Sequence, residues 1–239
     1  MPVGWATCGR GFELEGDMSG TDESYQVVGP SEVARRLKLE YSRGVKDQTQ
    51  KVLEEIIELC VQVERPEVPI RTICARAGEL ITKRLGIANV AIGLRNHLDG
   101  IFRYETVTGL PDENASQYMK LSYTREQLTN QSTYKSYEIS RSSRIFLGED
   151  HPYAEGEEFS YQRPGMLDMK RRSVTDSLEA DYIDTFFFDA AGEIAGWIEI
   201  SGTRLKRIPD VTTIKWVEVI SFILEAAVRL RKYETKGAL

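Results

Sequence analysis

The sequence predicts an α+β fold: a central antiparallel β-sheet with N- and C-terminal helices packed on one face, and a lid of loops and short helices on the other. Two observations carry this expectation. Two segments far apart in the chain, 89–109 and 182–200, both read as β-hairpins with one oily face and one aromatic, polar face. Apolar residues at helical spacing precede the first hairpin and follow the second, so helices are at hand to cover the oily side.

Length and charge limit the function classes. A chain of 239 residues, 41% hydrophobic and 28% charged, can bury an ordinary globular core. Its net charge of −6 argues against a general nucleic-acid coat, which selects positive surfaces. No apolar run approaches the roughly 18 residues of a membrane span, and no signal peptide opens the sequence. Cys8, Cys60 and Cys74 are odd in number and widely spaced, which points to a reducing compartment, the cytoplasm, without a disulfide framework.

The elements follow in order. Residues 1–29 are glycine-rich and aperiodic, and read as a flexible tail. A lead helix at 30–44 starts with Ser31 as N-cap. Its piece SEVARRL resembles the second helix of a helix-turn-helix. No first helix precedes it, and Lys38 stands where a turn glycine is usual, so a connecting helix is expected instead. From Val45 a helix carries apolar residues at 52, 56, 59 and 63, a seam of nearly 3.5 spacing, until Pro66 and Pro69 end it. Residues 70–85 form a further amphipathic helix, stopped by Gly86.

In the first hairpin, Asp99-Gly100 read as a two-residue type I′ loop sets Ile92 opposite Val107, Gly93 opposite Thr106 and Arg95 opposite Tyr104. Alternation then gives Val90, Ile92, Leu94 and Val107 to the oily face. Ala91, Gly93, Arg95, Phe102, Tyr104 and Thr106 take the other. The middle of the chain shows a helix-like SYTREQLTNQ, strand candidates YKSYEIS and RIFLG, and a long loop at 148–170 that is the expected lid. In the second hairpin, a turn at 189–192 sets Phe186 opposite Ala195 and Asp184 opposite Trp197. Ile183, Phe187, Ile194, Ile198 and Ile200 then share the oily face.

The last helix opens at Asp210, a good N-cap after Pro209. Ile214, Val217, Leu224 and Val228 trace one stripe, and Trp216, Ile220, Ile223, Ala227 and Leu230 trace a second. A surface that wide exceeds what one sheet needs. A parallel homodimer through the terminal helices is therefore expected, with Val52, Ile56, Leu59, Trp216, Ile220, Ile223 and Leu230 at its interface.

The stretch DTFFFDAAGEIAGWIEISGTRLKRIPD, followed by a long helix, resembles the end of a GAF domain, a sensory relative of the PAS fold. Such domains close with a strand, a D-x-x-G turn, a strand containing G-x-[ILVW], and a short link into the final helix. The helix ICARAGELITKRLG leading into NVAIGLR and IFRYETVTG resembles the front of the same family. The resemblance covers residues 45–235 and leaves 1–29, 30–44 and a short tail at 236–239 outside it. It implies a sensory or regulatory module that binds a small molecule, a chromophore or haem, or only dimerises, and that relays its state through terminal helices to a signalling partner.

On this reading a ligand sits against Arg95, Tyr104, Thr106, Asp184, Phe186, Trp197 and Glu199, beneath the 148–170 loop. Gly93 and Ala91 leave room above the sheet. Arg95 favours an anionic group, whereas Asp184 and Glu199 favour a donor or a cation. The alternative is a pure dimerisation or docking scaffold whose pocket is filled by Phe186, Trp197 and Tyr104, with Phe102, Phe186 and Trp197 packed together under the lid and no cavity left. One GAF branch reduces free methionine sulfoxide with thiols around the pocket. Here Cys60 and Cys74 fall in helices and Cys8 in the tail, so no enzyme activity and no thiol-linked haem is expected. Asp150, His151 and Glu155 lack metal-site spacing and read as a solvated loop, and no phosphate-binding glycine motif is present. The basic clusters at 169–172 and 204–207 read as solvated charge. No catalytic or metal residue is expected, and the residues specify no cofactor.

Overall fold

A computed structural model of the chain describes residues 30–43, 47–132, 134–150, 171–178 and 180–236. The helices are α1 (Pro30–Arg43), α2 (Gln48–Val63), α3 (Ile70–Arg84), α4 (Asp112–Tyr118), α5 (Arg125–Thr129) and α6 (Val211–Lys236). The strands are β1 (Ile87–Arg95), β2 (Phe102–Thr108), β3 (Ser122–Tyr123), β4 (Tyr137–Glu138), β5 (Ser143–Phe146), β6 (Tyr182–Phe188) and β7 (Ile194–Thr203). Residues 1–45, which contain α1, form one unit, and residues 46–239 form another. The tail read at 1–29 and most of the lid read at 148–170 lie outside the described residues.

The strands make one seven-stranded antiparallel sheet in the order β3-β2-β1-β7-β6-β5-β4. The two hairpins meet through β1 and β7, where Ile92 faces Ile198 and Gly93 faces Trp197. Ile92, Leu94, Ile198 and Ile200 belong to the core beneath the helices, and Trp197 to a separate cluster on the other side. The α+β architecture is the expected one, because side chains alternate along each strand and only one phase is oily enough to bury under helices.

The helical layer differs from expectation. It is α3 that lies on β1 and β2 beside α6, and α2 rests on α3 and α6. Gly78 explains why α3 fits so close: a Cβ there would stand 2.7 Å from the Thr108 hydroxyl. The seam Val52, Ile56 and Leu59 is consequently buried in the chain's own core, with exposures of 2%, 6% and 3%, and Ile220 is at 0%. These four are interior residues and not interface residues. A 3.5-residue seam serves a neighbouring helix of the same chain as readily as one of a partner.

Both hairpin registers also shift. Asp99-Gly100 does not close a two-residue loop. Asn96 accepts from the amide of Gly100 at 2.9 Å, and its side chain accepts from Leu98 at 2.8 Å, while Asp99 accepts from Ile101 at 2.9 Å. The loop thus runs from Asn96 to Ile101, and local side-chain acceptors hold it open. Val107 pairs with Ala91 and Thr106 with Ile92, and a bulge at Ile92/Gly93 then brings Tyr104 opposite Gly93. Val107 and Thr106 therefore exchange faces relative to the expected register. In the second hairpin Asp184 pairs with Glu199 and Phe186 with Trp197. That register differs by two, which preserves the faces. A further bulge at Phe187/Phe188 moves Ile194 across the sheet, into the company of Phe188.

The helix ends follow ordinary capping chemistry. Asp47 accepts from the amide of Thr49 at 3.2 Å, and Asp210 from Thr213 at 2.7 Å as predicted. Thr124 and Gln127 form a capping box on α5, which is shorter than SYTREQLTNQ suggested. Arg231 of α6 donates to the carbonyls of Val63, Arg65 and Val68 at 3.1, 3.0 and 2.9 Å, closing the C-terminus of α2.

One polar clasp ties the sheet edge to α6. Glu218 accepts from the hydroxyls of Ser140 and Ser143 and from Lys215, while Ser143 also meets the hydroxyl of Thr185 at 3.0 Å. Burial pushes the Glu218 carboxyl up, but Lys215 and the serine hydroxyls outweigh it and hold the group below its ordinary range. Ser143 is fully buried. Ser143→Ala is expected to cost about 1–3 kcal/mol in urea unfolding, because it leaves buried partners unmet. A change below about 0.5 kcal/mol would mean that the clasp is dispensable.

Candidate functional site

The face of the sheet opposite the helices is organised in rows across the strands. Phe186, Trp197, Gly93 and Tyr104 follow one another from β6 to β2. The next row runs Arg144, Asp184, Glu199, Ala91 and Val107 from β5 to β2. A third holds Phe146, Tyr182, Ser201 and Asn89. Cross-strand partners share a face, so the charged row lies between two aromatic ones.

The first row is sealed. The Trp197 indole lies over Gly93 so closely that a Cβ there would fall 2.0 Å from its ring. Tyr104, Phe102 and Tyr123 surround it, with centroids at 5.0, 6.1 and 6.3 Å. Gly93 was expected to leave room above the sheet; it is instead the seat of this ring. The packing of Phe102, Phe186 and Trp197 is that of the filled alternative, over this half of the face.

The charged row is built differently. Tyr104 donates to Glu199 Oε2 at 2.6 Å, and Tyr118 of α4 donates to Oε1 at 3.2 Å. Burial, and then the Glu199 charge, push the Tyr104 phenol well above its usual range, so it stays a donor. Asp184 is 6% exposed, and its Oδ1 has no hydrogen-bond partner among the described residues. Burial pushes its carboxyl up, the facing Glu199 pushes it further, and Arg144 pulls the other way. Arg144 itself sits over the Phe186 ring, 5.6 Å from the centroid, and 3.9 Å from Glu138. Phe146 and Tyr182 stack at 4.3 Å on the far side.

Of the candidate ligand residues, Tyr104, Asp184, Phe186, Trp197 and Glu199 come together on this face. Arg95 and Thr106 do not join the charged row. Arg95 is paired with Asp189 at 2.5 Å, at the turn end of β6. That is five residues, about 16 Å, along the strand from Asp184. The Oδ2 of Asp189 takes Arg95, while its Oδ1 accepts from the amides of Ala191 and Glu193 at 2.9 and 3.0 Å in the turn that the sequence predicted. Thr106, opposite Ile92, shares the helix-covered face. Tyr118 and Tyr123 had not been singled out. The available signal was Pro111 before Asp112 and Glu113, a helix start that places Tyr118 nearly two turns on.

Other candidates resolve locally. Asp150 takes Lys135 and the Tyr137 hydroxyl, both at 2.8 Å, while His151 and Glu155 lie outside the described residues. No metal-binding group of three is found among the described residues. Arg171, from the basic cluster at 169–172, is bound by Glu149 and Asp181 at 2.8 Å each. Cys74 is buried in α3 and its thiol is pushed up to about 12 by burial and Glu105; Cys60 on α2 is raised too, by burial and Glu64. Neither is a ready thiolate. No described helix is long and apolar enough to cross a membrane.

No protein-family model matches the sequence, and no curated protein matches it significantly. Solved structures do. The GAF domain of an Acinetobacter phosphoenolpyruvate-protein phosphotransferase is 10% identical, with a TM-score of 0.46, over 74% of this chain and 91% of that one. A GAF domain of A. aeolicus in an inactive state is 12% identical, with a TM-score of 0.47, over 77% and 99%. Staphylococcus aureus fRMsr in its reduced form is 14% identical, with a TM-score of 0.44, over 74% and 94%.

Proposed function

We propose that this chain is a non-enzymatic sensory or regulatory module of the cytoplasm, which holds a small molecule at the Asp184–Glu199 row and reports it through its helices. The observation that carries the reading is Asp184 Oδ1: buried in a sheet face, facing a second carboxylate, with no donor among the described residues. A buried polar atom left unmet costs about 1–3 kcal/mol, a cost that persists where function requires the group. The raised thiols of Cys60 and Cys74, both on the helical side, weigh against reductase chemistry. Thermal-shift screening of the full chain against a mixed metabolite set tests the reading. A saturable rise of several degrees supports it, and a flat response across all charge classes overturns it.

A second reading, helix-mediated dimerisation, rests on a different observation. With the inner seams consumed by the core, α2 leaves Leu53, Ile57 and Val61 exposed at 48%, 54% and 44%. On α6, Val219, Phe222 and Leu230 remain exposed at 40%, 62% and 45%. Trp216 and Ile223 are half-buried against the core, and would border such a contact. We expect a homodimer through these outer stripes, with a signalling partner reading its geometry. The double change Ile57→Glu/Phe222→Glu is expected to weaken self-association by at least roughly tenfold in analytical ultracentrifugation, with the thermal transition kept. A wild-type chain that stays monomeric at about 100 µM would remove this reading.

A further inference from the structure

A groove of mixed charge lies between α2 and α3, on the side of the sheet away from the aromatic face. On α2, Glu55, Glu58 and Gln62 recur at spacings of three and four, so they share one side of the helix. On α3, Arg76, Leu80 and Lys83 recur at four and three, with Glu79 and Arg84 beside them. Between the two sides is a cavity of about 260 Å³, floored by the buried Leu59 and Leu80. The walls carry opposite charge. Glu55 and Glu58 give the α2 wall two negative charges, whereas Arg76, Lys83 and Arg84 outnumber Glu79 by two on the α3 wall. Direct contact joins the walls at one end, where Arg84 donates to Glu55. Along α3, Glu79 is shared between Lys83 at 3.1 Å and Arg76 at 3.6 Å. Glu58 and the side-chain amide of Gln62 have no hydrogen-bond or ionic partner among the described residues.

The geometry points to a second small-molecule site in this groove, in which a free α-amino acid bridges the two helices, its ammonium on Glu58 and its carboxylate on Arg76 and Gln62. An anion alone would meet three carboxylates and leave Glu58 unserved, and a cation alone would meet three basic side chains. A zwitterion answers both walls and adds no net charge to a groove that is already balanced. Its two charged groups hang from one carbon atom. Glu58 and Gln62, one helical turn apart and about 5–6 Å between Cβ atoms, are close enough to take one group each. The cavity also suits a compact ligand, since drug-sized sites run to about 300–1,000 Å³. Exposed charge pairs are individually weak, so affinity depends on engaging both walls at once. The site shares no residue with the Asp184–Glu199 row and stands independently of the sensor reading above.

Isothermal titration calorimetry of the full chain decides the matter, with glycine, alanine, leucine and glutamine each set against its N-acetyl form, which lacks the ammonium, and its amide, which lacks the carboxylate. The expected result is saturable binding of at least one free amino acid, roughly tenfold or more tighter than either blocked form. Glu58→Gln and Arg76→Gln each remove one charge from one wall, and each is expected to weaken that binding by roughly fivefold or more. Both side chains are exposed, so the thermal transition of either variant should stay in place. Equal affinity for a blocked form, or full affinity in either variant, overturns the assignment. So does the absence of saturable binding by all four amino acids up to about 10 mM. Binding that survives Glu58→Gln and Arg76→Gln but is lost in Asp184→Asn places the amino acid on the sheet face, which overturns the groove and supports the sensor reading.

Discussion

Gly93→Ala is expected to lower stability by about 2–4 kcal/mol and the thermal midpoint by roughly 5–15 °C. The reason is geometric. The added Cβ would sit 2.0 to 2.5 Å from three atoms of the Trp197 ring, and the ring has nowhere to retreat. Tyr104, Phe102 and Tyr123 hold it on the remaining sides, and Trp197 is only 1% exposed. An overpacked core relaxes only by moving a rigid element, which here is the β1–β7 pair itself. Trp197→Ala should cost about 3–5 kcal/mol by the opposite route, a cavity. The combination Gly93→Ala/Trp197→Leu isolates the contact, because the smaller side chain frees the volume the new methyl needs. Its cost should fall short of the sum of the single changes by about 1–3 kcal/mol in chemical denaturation. Additive costs would show that the indole is not seated on this glycine.

Asp184→Asn should do the reverse and stabilise the free protein by about 1–3 kcal/mol. Burial first, and then the facing Glu199, raise the Asp184 carboxyl in the folded state above its unfolded value. The folded chain therefore holds the extra proton, and the stability tied to it is complete below the unfolded pKa, about 3.9. It is lost as pH rises through the folded value. Asparagine cannot ionise, so the gain of the variant should be small near pH 4, grow with pH, and level off once Asp184 is ionised. Thermal midpoints from pH 4 to 9 for both proteins test this. A constant difference would mean that the gain does not come from the charge. A variant more stable when free yet poorer at binding a ligand found in the thermal-shift screen is the pattern of a group retained for function at a cost in stability.

Much of the sheet was legible because alternation is a strong and local signal. Ile198 and Trp197 could be assigned to opposite faces from their neighbours alone, and the Asp189–Gly192 turn from its spacing. Register was less legible, since it depends on where a loop closes. Asn96 and Asp99 cap the first loop with their own side chains, and that lengthened it beyond what Asp99-Gly100 suggested. Glu105 then became the extra residue of a bulge, and Thr106 left the face to which it had been assigned. The difference at Gly93 has another origin: a missing side chain shows where space is, and not which distant ring takes it. Periodicity also leaves the partner open. The seam Val52, Ile56 and Leu59 has the same spacing whether it meets α3 and α6 or a second copy, and only the tertiary structure separates the cases. The orphaned Oδ1 of Asp184 follows from three strands aligning at once, which no window of sequence contains.

Arg231 bears on how this domain can be used as a part. Its guanidinium grips three carbonyls where α2 runs into the turn before α3, so the C-terminal helix is clamped to the domain as far as that residue. A helical reporter spliced on after Arg231 would inherit a defined angular phase. Each residue added to the junction would turn it by about 100°, so a short insertion series should give periodic output. A splice before Arg231 would discard the clamp, and output would no longer follow linker length.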